Sequence, residues 1–312
     1  MFMSTSEKTA AAVPAWRRVR RRLPGEGAWG ACFLLPLLAG LTVFLLLPLL
    51  VSGYLSFTSY NVLEAPHWIG GQNYRELFGE DPMFQKALLN TVVFAAGLVP
   101  ANMLLALLTS VLLNQVRRLA AFFRSVYFIP VITSEVVFSV VWLWIWNYNY
   151  GLVNYILKML GIAGPNWLGD SNWAMFAVIV TRLLKNLGMN VVIILAALQS
   201  IPVMYYEAAE LDGAGWFKKF SHVTLPELGP VIFLTLMVTI IGAFKVFGSI
   251  YVLTGGGPAG ATNVLVMYLY QMGFKTFEYG KASAIGMVIF GLILILTLVQ
   301  WLLRKKLVYQ EE

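Results

Sequence analysis

Charge is the scarcest feature of this 312-residue chain, since Asp, Glu, Lys and Arg together make up 12% of it. A soluble domain typically carries about 25% charged residues. Hydrophobic residues make up 59%, and the mean hydropathy is +0.74. These values predict a membrane protein. The net charge of +7 does not indicate a nucleic-acid partner, because the basic residues lie at the ends of apolar runs, where they orient membrane segments.

The chain has few residues with which to perform chemistry. Its one cysteine, Cys32, lies in an apolar run, and its two histidines, His67 and His222, lie in distant parts of the sequence. This composition excludes an internal disulfide and a Cys/His zinc site. The stretch Gly255-Gly-Gly-Pro258 lacks the Lys-Ser/Thr ending of a phosphate-binding loop, so it predicts a turn. We therefore expect no catalytic residue, metal or cofactor in this chain.

Long apolar runs fill most of the sequence, and each reaches the roughly 20 residues that a helix needs to cross a bilayer. They predict an all-α, polytopic membrane protein with six transmembrane helices, at 28–57, 88–113, 120–146, 173–198, 230–253 and 282–303. These spans divide the chain into a basic N-terminal segment at 1–27, a transmembrane domain at 28–303 with a polar loop at 199–229, and a tail at 304–312.

The distribution of Lys and Arg predicts the orientation. Fourteen lie on the side of the two termini and the 199–229 loop, against five in the other loops. The side with more Lys and Arg is cytoplasmic. Both termini and the 199–229 loop are therefore expected in the cytoplasm. On the other side, Trp146-Asn-Tyr-Asn-Tyr-Gly151 suits either interfacial anchoring or a rim for a docking extracytoplasmic protein.

Ionisable residues within the predicted spans are expected to face the bundle interior, because each costs about 2.5–3.5 kcal/mol at a lipid-facing helix centre. They are Glu135, Arg182, Lys185 and Lys245, and Asn186 and Asn190 continue the polar face of Arg182 at helical spacing. Two interpretations are open. One is a structural ion pair of Glu135 with Arg182 or Lys185. The other is a solute pathway lined by Arg182, Lys185, Asn186, Asn190 and Lys245.

The 199–229 loop carries the most informative pattern in the chain. It predicts a helix capped by Ser200 and ended by Gly213, then a second helix stopped by Pro226. The stretch Glu207-Ala-Ala-Glu-Leu-Asp212 precedes Gly213 and offers small residues and carboxylates to a partner. An ordinary cytoplasmic loop is the alternative.

This loop resembles the EAA motif of the permease subunits of binding-protein-dependent ABC importers. The matching residues are Glu207, Ala208, Ala209, Gly213, Val223, Leu225 and Pro226, with Val223 in place of the usual Ile, and Asp212 lies within the same loop. The stretches at 196–202 and 252–258 resemble the carbohydrate-uptake branch of that family. The resemblance implies the type I importer permease fold, a bacterial or archaeal inner-membrane location and transport by alternating access. It implies that the loop couples the permease to the ATPase.

The resemblance also implies partners. They are a second permease subunit in a heterodimer, two copies of an ABC ATPase subunit that use ATP and Mg, and an extracytoplasmic solute-binding protein, all assembled in membrane lipid. Two alternatives to a carbohydrate importer are kept. Arg182, Lys185 and Lys245 also suit an anionic solute such as a glycerol phosphate ester. Polar residues at mid-membrane also suit an ion-coupled secondary transporter.

Overall fold

The structure is a computed structural model that describes residues 26–115 and 120–307. Most of the basic segment predicted at 1–27, and part of the tail predicted at 304–312, lie outside these residues. The chain divides into two compact units, and the division follows Val51. The described part of the first unit is helical, with α1 at Glu26–Leu41, a π-helical turn at Thr42–Leu46 and the first part of α2 at Leu47–Leu55.

The second unit is built almost entirely from helices. They are α3 at Gln72–Gly79, α4 at Pro82–Gln115, α5 at Ala120–Ile132, α6 at Glu135–Ile145, α7 at Leu152–Met159, α8 at Ala174–Ser200, α9 at Val203–Leu211, α10 at Trp216–Lys219, α11 at Leu225–Glu227, α12 at Gly229–Phe244, α13 at Gly248–Leu253, α14 at Leu265–Phe274 and α15 at Tyr279–Leu307. The described strands, β1 at Thr58–Ser59 and β2 at His67–Trp68, form an antiparallel pair.

The predicted number of spans agrees with the helices that are long and apolar enough to cross a membrane. Four do so alone: Phe33–Leu55, Pro82–Gln115, Ala174–Ser200 and Tyr279–Leu303. Two further candidates are bent pairs: Ser125–Ile132 with Glu135–Ile145, at 108°, and Trp216–Glu227 with Gly229–Phe244, at 64°. The described part of the chain thus has four spans, or up to six if each bent pair is one span.

Two predicted spans are not continuous helices. The run at 120–146 breaks at Thr133–Ser134 between α5 and α6, and the run at 230–253 breaks at Lys245–Phe247 between α12 and α13. Hydropathy did not reveal either break, because the flanking residues are apolar on both sides.

Helices α4 and α8 form the centre of the second unit. Its largest apolar cluster includes Phe94 and Leu98 of α4 with Val178 of α8. Ala106 and Ser110 of α4 are fully buried, and the Ser110 hydroxyl donates across the contact to Val191 O on α8 at 3.0 Å. A second cluster, around Ile194 and Leu195, lies toward the 199–229 loop. The centre of the unit therefore runs along α8 as far as that loop.

A turn after α13 covers the opposite end of α4, as the Gly255–Pro258 stretch predicts. Lys86 Nζ donates to Ala259 O at 2.8 Å, and Asn90 Nδ2 donates to Gly260 O at 2.9 Å. Gly256 and Gly260 have φ values of +92° and +74°, which other residues adopt only with strain. This stretch is a packed turn.

Candidate coupling surface and polar layer

The loop at 199–229 makes a sharp reversal at Gly213. Helix α9 ends at Leu211, and Gly213 has a φ of +73°. Gly213 N–H donates to Glu210 O at 3.0 Å, and Ala214 N–H donates to Ala209 O at 2.9 Å. This pair of bonds is a Schellman motif, which satisfies the last carbonyls of the helix and places the left-handed residue after its end. The predicted role of Gly213 in ending this helix is confirmed.

One predicted detail of the loop is wrong, and another is confirmed. Ser200 is the last residue of α8 and donates to Ala197 O at 2.8 Å, so it does not cap α9, whose N-cap is Pro202. The predicted stop at Pro226 holds to within one residue, because the helical stretch Trp216–Glu227 ends just after it and bends by 64° into α12. Pro226 itself lies in the first turn of α11, after a π-helical turn at Phe220–Thr224. Proline is tolerated there, since its missing N–H is not needed at a helix start.

Side-chain contacts tie the two arms of the loop together. Lys219 Nζ lies 2.7 Å from Glu210 Oε1, and a 3.0 Å hydrogen bond joins the Tyr206 and Thr224 hydroxyls. The Lys219 ammonium lowers the pKa of the Glu210 carboxyl through this hydrogen bond and through its charge. Sequence reasoning missed Glu210 and Lys219 as partners, because they are nine positions apart on opposite sides of the reversal.

The outer surface of the loop exposes apolar, small and acidic residues together. Glu207, Ala208, Asp212, Gly213, Leu225 and Pro226 are exposed, and Ala209 is half-buried. Leu211 exposes 90% of its surface and Phe217 exposes 73%. Burying a Leu or Phe side chain contributes about 1.5–3 kcal/mol, so these two residues offer apolar surface to a partner. The sequence motif did not single out Leu211 or Phe217.

A cavity of about 840 Å³ lies behind the loop. Asn114 and Gln115 from the end of α4, Leu198 from α8, and Trp216 and Lys219 from α10 are among its lining residues. Trp216 stacks on Phe220, with ring centroids 5.6 Å apart. The second arm of the loop is therefore held by its own aromatic pair and by the Glu210 contact.

The predicted ion pair of Glu135 with Arg182 forms next to the two helix breaks, between α5 and α6 and between α12 and α13. Arg182 Nη1 on α8 lies 2.6 Å from Glu135 Oε1 at the start of α6. The same oxygen accepts hydrogen bonds from Ser249 N–H and Oγ–H at 3.1 and 3.3 Å. Gly248 permits this approach, because a Cβ there would lie 2.9 Å from Glu135 Cδ. One carboxylate thus joins the start of α6, the middle of α8 and the start of α13.

Lys185 does not pair with Glu135. Its Nζ donates to the backbone oxygens of Pro130 and Val131 at 2.6 and 3.0 Å, close to the end of α5. The last carbonyls of a helix lack partners within it, so Lys185 supplies the hydrogen bonds that the break removes. Gly188 allows the close contact, because a Cβ there would lie 1.8 Å from Tyr127 O.

Asn190 is buried in the contact of α4, α8 and α12. Its Nδ2 donates to Asn102 Oδ1 at 2.5 Å and to Thr239 Oγ1 at 2.9 Å. Asn186 is half-buried one turn away, and Lys245 is exposed at the break after α12. Sequence analysis did not identify Asn102 and Thr239, because each lies within an apolar run. Arg182, Lys185, Asn186, Asn190, Lys245 and Glu135 are called the polar layer below.

The described residues contain no group of three or more His, Cys, Asp or Glu side chains that could hold a metal ion. The polar layer and the exposed loop belong to a bundle of helices that are long and apolar enough to cross a membrane. Comparison with known proteins agrees with this class. Residues 99–309 match the family described as "Binding-protein-dependent transport system inner membrane component".

Curated relatives cover nearly the whole chain. The "Probable ABC transporter permease protein YurN" of Bacillus subtilis is 36% identical over 273 residues, which are 86% of this chain and 93% of that protein. The "Trehalose/maltose transport system permease protein MalF" of Thermococcus litoralis is 34% identical over 88% of this chain and 92% of that protein. This chain belongs to the family of inner membrane components of binding-protein-dependent transport systems, and it is a multi-pass cell-membrane protein.

Solved structures show the same fold. A chain of a bacterial alginate ABC transporter, crystallised in complex with an alginate pentasaccharide-bound periplasmic protein, superposes with a TM-score of 0.80 at 21% identity. The match covers 91% of this chain and 96% of that chain. The predicted all-α permease fold is therefore confirmed.

Proposed function

We propose that this chain forms the translocation pathway of an ATP-driven importer for a carbohydrate. The observation that carries this proposal is the exposed loop around Gly213, in a chain of the binding-protein-dependent family. The names of relatives support the solute class, since they include trehalose/maltose, arabinooligosaccharide and lactose permeases. ATP hydrolysis belongs to separate subunits, and this chain needs no cofactor of its own.

The proposed assembly contains a second, different permease subunit, two ATPase subunits that bind ATP and Mg, and an extracytoplasmic solute-binding protein. Glu207, Ala208, Ala209, Asp212, Gly213, Leu225 and Pro226 would contact the ATPase from the cytoplasmic side. Ala208 and Gly213 allow close approach, and Leu211 and Phe217 provide exposed apolar surface. Burial of these two side chains would supply the affinity, whereas the small residues would set the fit.

The bent spans suggest how movement of the loop reaches the pathway. Helices α10 and α11 are joined to α12 through the 64° bend, and α12 ends at Phe244, next to Lys245 of the polar layer. A displacement of the loop by the ATPase would also displace α12, because the two are joined through the bend. Alternating access follows if this movement changes the exposure of Arg182, Asn186 and Lys245 between the two sides of the membrane.

The test is uptake into liposomes that contain the complete importer and its loaded binding protein. We expect solute to accumulate only when ATP is present on the side of the Glu207 loop. A proton or sodium gradient without ATP should not drive uptake. Gradient-driven uptake would reject the ATP-coupled mechanism, and competition by glycerol 3-phosphate but not by neutral saccharides would reject the carbohydrate assignment.

A further inference from the structure

A second cavity, of about 460 Å³, lies at the end of α8 opposite the 199–229 loop. Helix α8 has 27 residues, so about 40 Å separates its two ends at 1.5 Å per residue. The cavity is lined by Val140, Leu143, Trp144, Trp146, Asn147, Tyr148, Asn149, Tyr150, Asn166 and Leu168. Its volume is within the roughly 300–1,000 Å³ range of small-molecule sites. These ten residues are called the outer cavity.

Three aromatic rings of the outer cavity are open to a ligand. Trp144 and Tyr148 each expose 54% of their surface, and Tyr150 exposes 63%. Beneath them, Trp146 is buried, and its Nε1 donates to Thr181 Oγ1 on α8 at 2.9 Å. The cavity therefore combines a fixed base with exposed ring faces. Tyr and Trp present large contact areas at a low entropic cost.

The rim of the cavity is held in shape by amide hydrogen bonds. Asn147 Oδ1 accepts hydrogen bonds from the backbone N–H groups of Asn149 and Tyr150 at 3.0 and 3.3 Å. Asn154 Nδ2, outside the cavity, donates to Tyr148 O at 3.0 Å and to Pro165 O at 3.2 Å. These contacts fix the segment after α6 against the segment before α8. A preorganised rim reduces the cost of binding a ligand.

Hydrogen-bonding capacity remains at this fixed rim. Asn166 Oδ1 accepts from Gly169 N–H at 3.0 Å, which leaves its Nδ2 group available. Asn147 likewise uses only its oxygen, and the Asn149 side chain forms no hydrogen bond to any residue in the described ranges 26–115 and 120–307. Each amide group offers N–H donors, and that of Asn149 also offers an acceptor. Such groups suit a ligand with several hydroxyls.

The lining also contains no Asp, Glu, Lys, Arg or His. An anionic lipid headgroup or a charged peptide would find no opposite charge there. We propose that the outer cavity is a binding subsite for a neutral saccharide, with the apolar C–H face of a sugar ring against Trp144 and Tyr148 and its hydroxyls on Asn149 and Asn166. The proposal rests on the proposed carbohydrate import and adds to it a contact site outside the polar layer.

The assembled importer without its binding protein, in nanodiscs, provides the direct test. Saturation-transfer NMR with maltotriose and lactose at millimolar concentration should show transfer from protein to sugar-ring protons. Trp144→Ala and Asn149→Ala should each reduce that transfer at least threefold. The matched control is Tyr155→Leu, since Tyr155 is an exposed aromatic residue of the neighbouring α7 that does not line the outer cavity.

Several results would overturn the proposal. They are absence of transfer to both sugars with the unmodified importer, equal transfer with the two cavity variants, and transfer to phosphocholine that the same variants abolish, which would indicate a lipid-headgroup site. The proposed function fails separately. If the sugars bind as expected but ATP drives no carbohydrate uptake, the outer cavity stands and the import proposal falls.

Discussion

At the scale of single residues, the Glu135 carboxylate connects three helices. It accepts hydrogen bonds from Arg182 and Ser249, which lie on two other helices, and Glu135 is the first residue of α6, the second half of a bent span. Removal of one partner from a buried ion pair typically costs about 3–5 kcal/mol, because the remaining charge is left uncompensated. The Glu135 side chain is 36% exposed and that of Arg182 is 15% exposed, so solvent screening should reduce this cost.

We therefore expect Arg182→Gln to lower the melting temperature of the purified importer, and Glu135→Gln to lower it less, because the neutral amide still accepts hydrogen bonds. In the double variant the two losses should not add, with a coupling of about 0.5–3 kcal/mol. Glu210→Gln, in the exposed ion pair with Lys219, is the matched control and should leave the melting temperature unchanged. Strict additivity of Arg182→Gln and Glu135→Gln would show that this contact does not stabilise the protein.

Variants of Asn190 and Lys245 distinguish the two interpretations of the polar layer, which are a structural role and a solute pathway. Asn190→Leu leaves Asn102 and Thr239 without their partner in a packed interface, which typically costs about 1–3 kcal/mol. Lys245→Met removes an exposed charge at a helix end. We expect Asn190→Leu to lower the melting temperature, and Lys245→Met to leave it unchanged but to alter uptake rate or solute preference. Normal uptake with Lys245→Met would remove Lys245 from the solute pathway.

At the scale of elements, the reversal between α9 and α10 is the feature that sequence predicts best. Gly213 indicates the left-handed residue after a helix, and the structure has it there with the Schellman hydrogen bonds. Pro226 marks the end of the second helix in the same way, because the helical stretch Trp216–Glu227 ends one residue after it and bends by 64° into α12. The sequence did not predict the π-helical turn before the proline, in which Leu225 N–H reaches back to Phe220 O.

The sequence did not predict the helix breaks or the contacts that support them. Lys185 was expected among charges or solute, but it binds the carbonyls at the end of α5. Its partners are backbone atoms 54 and 55 positions away, and backbone atoms leave no residue-type signal. Ser249 is similar, because a serine among apolar residues shows no sign of a distant carboxylate. The polar residues were identifiable from the sequence, whereas their pairing required the structure.

The coupling role of the loop gives a prediction for this element. A Cβ at Gly213 would have no atom within 4 Å in this chain, so Gly213→Asp should leave the permease folded, with strain only from its positive φ. A partner seated against the loop would meet the new side chain. We expect at least a tenfold loss of uptake and loss of ATPase stimulation by the loaded binding protein.

The matched control for that variant is Gly215→Ala. Gly215 is equally open, since a Cβ added there would have no atom within 4 Å, and its φ of −69° suits any residue. Uptake by Gly215→Ala should stay close to that of the unmodified importer. Full uptake by Gly213→Asp would mean that the loop is only a connector between spans.

At the scale of the whole molecule, orientation is the property that follows from sequence and remains to be measured. Fourteen Lys and Arg residues lie in the termini, the 115–124 segment and the 199–229 loop, against five in the other loops. Positive charge in short loops is retained in the cytoplasm, so the Glu207 loop should face the ATPase and the outer cavity should face the solute-binding protein. Both proposals depend on this arrangement.

The single cysteine, Cys32, makes the orientation directly measurable. In a Cys32→Ser background, Asn149→Cys and Asp212→Cys place one exposed thiol at each end of the second unit. A membrane-impermeant maleimide should label Asn149→Cys in intact spheroplasts and Asp212→Cys only after permeabilisation. The Cys32→Ser parent is the control for background labelling. Labelling in the reverse order would place the Glu207 loop outside the cell, away from ATP, and would reject the coupling mechanism as a whole.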